Sequence, residues 1–228
     1  MQAVAFSRPG PGPLFEGLME AKWRPCEFDP SFRRRDYPSY GAYVAKQVSK
    51  LARLDLTEYD VQFRAALGER LEALSFLQPR MTVLCLGARS GAEVQAFLDL
   101  GCFAVGIDLN PGEGNVLVER GDFHDIPYPA CSADLVFTNS LDHAFDIQKV
   151  ISEIKRVLKP GGFLIVEAVA GTEEGAHLDP WDCFCWPTRD ALARLFKTSG
   201  FKLIGRTWFH FPWHGEQLCF EGGQVAHE

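Results

Sequence analysis

The sequence predicts an α/β fold: a mostly parallel sheet with helices on both faces, completed by an antiparallel last strand and preceded by helices. Two observations carry this expectation. From Pro79 onward, short apolar runs of strand length alternate with segments of helical period, the pattern of strand, crossover helix and parallel strand. The last two runs, KLIGRTWF and EQLCFEG, are separated only by HFPWHG, too short for a crossover, so they pair antiparallel.

The bulk properties agree with one globular unit. The chain has 228 residues, of which 46% are hydrophobic and 23% charged, the balance of an ordinary folded domain. A net charge of -7 argues against a binder of bulk nucleic acid, because neutralising phosphates needs a basic surface. Arg33, Arg34 and Arg35 read as a solvated turn. No window approaches the roughly 20 apolar residues of a membrane span, and MQAVAFSRPGPGPLF lacks a basic start followed by an apolar run, so a cytoplasmic location is expected. The seven cysteines are odd in number and scattered, which reads as reduced thiols packing as small hydrophobes. Cys183 and Cys185 form C-x-C, without the second pair that a zinc site needs. No metal site is expected, and the sequence leaves the oligomeric state open.

Three regions follow. Residues 1–39 are rich in Pro, Gly and aromatics and read as an irregular arm, with Phe15, Trp23 and Phe28 laid over the core. Residues 40–78 read as a helical cap. Its first helix, over 39–54, is capped by Ser39 and carries Tyr40, Tyr43, Val44, Val48 and Leu51 on one face. Its second, over 57–77, is capped by Thr57, turns Val61, Leu67, Leu71 and Leu74 inward and stops at Pro79. Residues 79–228 form the core. TVLCLG, CFAVGID, NVLVERGD, ADLVFTN and GFLIVEAVA are its strands, ahead of the terminal pair, with helices over 90–100, 142–157 and 187–199.

The chemistry concentrates where strands end. After the first core strand, LGARSGAEV places Gly87 and Gly91 at a turn into a helix, where glycine allows the backbone to approach a ligand and present N–H groups to it. A purely structural turn gives the same signal. A dinucleotide fingerprint would need glycine at 89 and 92, where the chain has Arg89 and Ala92, so a nicotinamide cofactor is disfavoured. Asp108 ends the second strand, 21 positions after Gly87, where a carboxylate accepts both hydroxyls of a ribose; the rival reading is a turn aspartate. Asp122 in GDFHDIPYP is placed to accept an adenine amino group, with Phe123 and Ile126 beside the ring, or is a simple loop aspartate. Asn139, Ser140, Asp142 and His143 lie just past the next strand, at the carboxyl edge where open α/β sheets bind ligands. In RVLKPGGFLIVE the turn Pro160-Gly161-Gly162 is ordinary helix-end chemistry.

Taken in order, LGARSGAE, GIDLNP, GDFHDIPYP, DLVFTNSLDH and LKPGGFLIVE resemble the class I methyltransferases that use S-adenosylmethionine, of the Rossmann-like, type 11 kind, over about residues 80–220. The resemblance implies a three-layer sandwich around a seven-stranded sheet with a reversed final strand. It also implies roles: Gly87, Ala88, Arg89 and Gly91 in the loop around the methionine moiety, Asp108 and Leu109 at the ribose, Asp122 and Phe123 at the adenine, and Asn139 and Ser140 facing methyl donor and acceptor. The chain departs from the pattern at Cys85, where the family has an acid, and at Arg89, where it has a glycine. The stretch from Asp108 to Gly121 is also too short for a full helix. Arg89 either reaches the methionine carboxylate or points to solvent.

Methyl transfer needs an acceptor lone pair held in line with the methyl carbon, and positioning supplies much of the acceleration. Where the acceptor is a hydroxyl its proton must leave, and His143 is the candidate base; packing or capping at a helix start is its rival role. Trp181, Phe184 and Trp186, in the segment HLDPWDCFCWP, either wall an apolar acceptor pocket or cover the core. His210 and His214 read as turn residues. The acceptor is expected to be a small molecule or a glycan or lipid precursor. The main rival is a catalytically silent module that binds S-adenosylmethionine without turnover.

Overall fold

The computed structural model describes residues 22–50 and 57–222. Expectations for 1–21, Phe15 included, and for Leu51 fall outside the described residues. The core is a seven-stranded sheet in the order β5-β4-β3-β6-β7-β10-β9. Its strands are β3 (Thr82–Leu86), β4 (Phe103–Asp108), β5 (Val118–Arg120), β6 (Ala133–Thr138), β7 (Leu158–Ala168), β9 (Phe201–Phe209) and β10 (Gly215–Gly222). Strands β3 to β7 run parallel, and β10 pairs antiparallel with both β7 and β9. The reversed strand is thus the last in sequence but lies inside the sheet, because the hairpin docks by β10, all of whose first six residues are buried.

Side chains alternate across each strand, and the alternation splits the core in two. Val83, Cys85, Leu135, Phe137 and Ile165 face α2 (Thr57–Glu72) and α3 (Ala92–Asp99), which contribute Phe63, Leu67, Leu71, Val94 and Phe97. Leu84, Leu86, Val136, Leu164 and Val166 face α4 (Ile147–Val157) and α5 (Arg189–Thr198). Helix α4 buries Ile147, Val150, Ile151, Ile154 and Val157, one stripe at helical spacing, each residue contributing about 1.5–3 kcal/mol. Asp146 caps it, its Oδ1 accepting from the N–H groups of Gln148 and Lys149.

Several boundaries differ from expectation. Helix α4 starts at Ile147 rather than at 142, since Asp146 provides the cap and Leu141–His143 forms a short 3-10 turn instead. Helix α2 ends at Glu72, five residues early, where Phe76 leaves the helical path to stack on Phe163 at 4.4 Å. Within α2, Val61 is 68% exposed and Phe63 takes the inward place. The first helix, α1 (Tyr40–Val48), is capped as expected, Ser39 Oγ accepting from the Ala42 N–H. Between β4 and β5 there is no helix, as the short spacing requires.

The arm is not wholly irregular. Strands β1 (Trp23–Pro25) and β2 (Arg33–Arg35) form a hairpin that adds β8 (Phe184–Cys185) as a third strand. The arginine triplet is that strand rather than a solvated turn. Arg35 is buried, its Nε donating to the Asp182 carbonyl at 2.6 Å and its Nη2 to that of Asp179 at 3.1 Å, with its guanidinium over Trp23. Trp23 thus lies against the hairpin, while Phe28 is 41% exposed.

Candidate active site

The strand order reverses direction between β3 and β6, and the loops after these two strands meet. Gly87 follows β3 with φ +70°, and a Cβ there would fall 2.6 Å from Ser140 Cβ, beyond β6. Only glycine satisfies both the angle and the approach. Phe123 lies against the same place, since its Cε1 would be 3.9 Å from that Cβ. Residues from three loops, predicted separately, are therefore neighbours.

The glycine loop offers less N–H than expected. Gly87 and Ala88 both donate to the Ile107 carbonyl, Gly91 to that of Ala88, and the Arg89 N–H to Asp108 Oδ2. These bonds fix the loop against β4; its carbonyls are engaged as well, Gly87 by Ser140 Oγ and Arg89 and Ser90 by Asn115 Nδ2, so that what remains for a ligand is the second lone-pair direction of each, suited to an ammonium rather than to a carboxylate. The side chain of Arg89 takes neither expected direction. At φ +43°, a left-handed angle uncommon for a residue other than glycine, it turns away to α2, with its guanidinium over the Tyr59 ring and its charge matched by Glu93 and Asp60. Beside it, Ser90 Oγ donates to Asp60 Oδ2.

Glu93 supplies, from α3, an acid next to the position where Cys85 replaces the family's carboxylate. It is 1% exposed, and burial pushes its carboxyl up to about 7, against the pull of Arg89. The folded state therefore holds this proton more tightly than the unfolded chain, so stability falls as pH rises from the ordinary 4.5 towards about 7. Glu93→Gln is expected to reduce that slope in chemical unfolding followed between about pH 5 and 8. An unchanged slope would place the titration elsewhere.

Asp108 closes β4. Its Oδ2 accepts the Arg89 N–H at 3.0 Å and its Oδ1 the Asn110 N–H at 2.8 Å. An ionised carboxylate accepts about four bonds, so each oxygen retains one lone-pair direction, the number that two vicinal hydroxyls require. Asp122, near the start of the loop after β5, is held differently. Its Oδ1 accepts both the backbone N–H and Nδ1 of His124, each at 2.8 Å, and its Oδ2 accepts from the Tyr40 hydroxyl on α1. Burial works against its charge, but the bonds from His124 and Tyr40 outweigh this and hold the carboxyl below its ordinary value. His124 Nε2 accepts the N–H groups of Phe145 and Asp146, which leaves the proton on Nδ1. Neither Tyr40 nor His124 was picked out as a site residue from the sequence; the Asp-x-His spacing at 122–124 was the only available signal.

His143 lies in the 3-10 turn past Ser140. Its Nδ1 is 3.2 Å from the Trp181 carbonyl and its Nε2 is 2.6 Å from Lys50 Nζ, so a donor already meets the nitrogen that would take a proton. Asp142, His143 and Asp182 bring one ligand atom each within 4.8 Å of one another, a cluster the sequence had not suggested. Lys50 Nζ stands against this cluster, on His143 Nε2.

Beyond this cluster, at the end of β7, opens a pocket of about 170 Å³ whose walls include Asp142, Val169, Leu178, Phe184 and Trp186. Trp181 is not among the lining residues. Burial pushes the thiols of Cys183 and Cys185 up to about 11, which makes them packing groups rather than metal ligands. His210 and His214 face each other on an exposed turn, their Nδ1 atoms 2.9 Å apart.

This strand order, with a glycine turn and the acids Asp108 and Asp122 at its carboxyl edge, is the fold of the class I S-adenosylmethionine-dependent methyltransferases. S-adenosylmethionine is the cofactor of the class, and the spare acceptor directions on Asp108 and the close approach at Gly87 fit it. Residues 84–166 match the family described as "Methyltransferase domain". Among curated proteins, the chain is 33% identical to malonyl-[acyl-carrier protein] O-methyltransferase 1 of Coxiella burnetii over 46% of this chain and 40% of that one. It is 31% identical to sterol 24-C-methyltransferase ERG6B of Gibberella zeae over 64% of this chain and 44% of that one. The chain thus spans less than half the length of these relatives. Among solved structures, the 1,6-didemethyltoxoflavin-N1-methyltransferase of Burkholderia thailandensis, with 1,6-didemethyltoxoflavin and S-adenosylhomocysteine bound, superposes with a TM-score of 0.66 at 18% identity, over 88% of this chain and all of that one. No helix among the described residues is long and apolar enough to cross a membrane.

Proposed function

We propose that the protein transfers the methyl group of S-adenosylmethionine to a small molecule, or to a glycan or lipid precursor, held in the pocket beyond β7. The observation that carries this reading is the meeting of Gly87, Phe123 and Ser140 at the strand switch point, with Asp108 bonded to the same glycine loop and a partly apolar pocket whose walls include Asp142, two residues past Ser140. When bound, S-adenosylmethionine supplies an electrophilic methyl carbon on a sulfonium. Asp108, with Leu109 next to it, holds the ribose; Asp122 and Phe123 hold the adenine; the carbonyl edge of residues 87–91 takes the methionine ammonium; and Asn139 and Ser140 face the reacting centre. Phe184 and Trp186 wall the acceptor and exclude water. His143 takes a proton from a hydroxyl acceptor when Lys50 withdraws from Nε2, and positioning alone suffices for an acceptor with a free lone pair.

Calorimetric titration with S-adenosylmethionine, S-adenosylhomocysteine and NAD tests the donor half without knowledge of the acceptor. Binding of the two sulfur nucleosides and not of NAD is expected; absence of both would overturn the reading. Binding without turnover across an acceptor panel would favour the silent module, for which the replacement of the family's acid at Cys85 is the supporting feature.

A further inference from the structure

We propose that Tyr40 and the adenine of the methyl donor compete for Oδ2 of Asp122, and that α1, latched there, ties donor binding to the position of the acceptor-side loop. The proposal rests on the donor-site reading given above. Its starting point is the occupancy of one carboxylate. Oδ1 of Asp122 already accepts two donors from His124, the full complement of one carboxylate oxygen. Oδ2 is the oxygen left for an adenine amino group, and the Tyr40 hydroxyl takes one of its two lone-pair directions, so the amino group meets an acceptor already half engaged.

Tyr40 is well placed to be displaced. It is 39% exposed, the most exposed member of an aromatic group in which its ring meets Phe145 edge-on at 5.2 Å and His124 at 5.7 Å. Its hydroxyl also stands 3.0 Å from His124 Nδ1, whose N–H is committed to Asp122 Oδ1.

The rest of α1 shows what such a movement reaches. At its far end the Val48 carbonyl accepts from Asn110 Nδ2 at 2.7 Å, and Asn110 is the residue whose N–H bonds Asp108. Gln47 Nε2 donates to the Trp181 carbonyl at 2.8 Å and contacts Cys183 Sγ at 3.0 Å. Lys50, two residues past the helix, meets His143. One nine-residue helix thus touches the adenine acid, the ribose loop and the loop behind the acceptor pocket. An adenine that unlatches Tyr40 changes the restraint on all three, and the coupling is reciprocal: whatever loosens α1 from the acceptor side eases donor entry.

The test uses S-adenosylhomocysteine and S-inosylhomocysteine, which lacks the amino group, with the wild type and Tyr40→Phe. The conservative variant keeps the ring and its packing and deletes only the competing hydroxyl. Tyr40→Phe is expected to bind S-adenosylhomocysteine about three- to tenfold more tightly than the wild type, the net worth of one ordinary hydrogen bond, with no gain for the inosyl compound. In hydrogen exchange of the wild type, S-adenosylhomocysteine is expected to speed exchange over residues 40–48 and to alter it over 181–183 in step. Wild-type binding with equal or weaker affinity in Tyr40→Phe, or an equal gain for the inosyl compound, would overturn the competition; exchange unchanged over 40–48 would overturn the coupling through α1. Failure of the wild type to bind S-adenosylhomocysteine would remove the donor-site reading itself, and this proposal with it.

Discussion

Asp108→Ala is expected to weaken S-adenosylhomocysteine binding by about 1.5–3 kcal/mol, a factor of roughly 10 to 150. The methyl side chain removes a charged acceptor with one lone-pair direction left on each oxygen. It also removes two restraints that hold the loops in place, the bonds from the Arg89 and Asn110 N–H groups. The Arg89 bond matters because that residue sits at φ +43°, and an angle of this kind persists only where the surroundings impose it. Calorimetry on the folded variant measures the sum; a thermal melt of the same sample reports how much of it is loosened structure. Asp108→Asn separates the two further. It keeps the shape, but its amide group turns a donor towards one of the two N–H groups, so the loops loosen while one acceptor for the ribose remains. An unchanged Kd in a folded Asp108→Ala protein would remove the ribose assignment.

What the sequence made legible follows from what local pattern can encode. TVLCLG, CFAVGID and ADLVFTN read as strands because buried runs of β-branched and apolar residues bounded by turns have few other uses, and each strand lies within a residue or two of its expected place. That Gly87, Phe123 and Ser140 come together was legible for a related reason: these residues follow strand ends, and strand ends in a parallel sheet share one edge. The missed features depend on partners far away in the chain. Arg35 is buried only because β8 lies beside it, nearly 150 residues later. Tyr40 and Lys50 are ordinary helix-surface residues by spacing, and gain their roles from Asp122 and His143. Arg89 was weighed between a ligand and solvent because Tyr59, in another helix, gave no sign in the sequence of offering a third direction. The N–H groups of the glycine loop were expected to face the ligand because the loop was considered apart from β4, whose Ile107 carbonyl takes two of them.

Arg70→Met is expected to cost about 3–5 kcal/mol of stability, the largest effect expected of any substitution outside the donor site. Arg70, on α2, grips Glu167, on β7, with Nε on Oε1 at 2.8 Å and Nη2 on Oε2 at 3.1 Å. The Glu167 side chain is fully buried and that of Arg70 nearly so. Methionine fills much of the space but leaves a buried carboxylate that, among the described residues, keeps Gln217 Nε2, at 3.2 Å, as its donor. The pH dependence identifies the cause. Burial raises the Glu167 carboxyl above its ordinary value, while Arg70 pulls it down; without Arg70 it rises further. A raised acid stabilises the folded state most while protonated, so the loss in Arg70→Met is smaller in acid, where Glu167 is neutral, and grows as pH rises. Urea unfolding of both proteins at about pH 5 and pH 8 reads the difference directly. Adding Glu167→Gln to Arg70→Met is expected to recover most of the loss at the higher pH, because the cost lies in the unpaired charge and not in the missing bonds. A pH-independent deficit, unrepaired by the second substitution, would instead assign the effect to packing, where the Arg70 guanidinium covers the Phe209 ring at 4.2 Å.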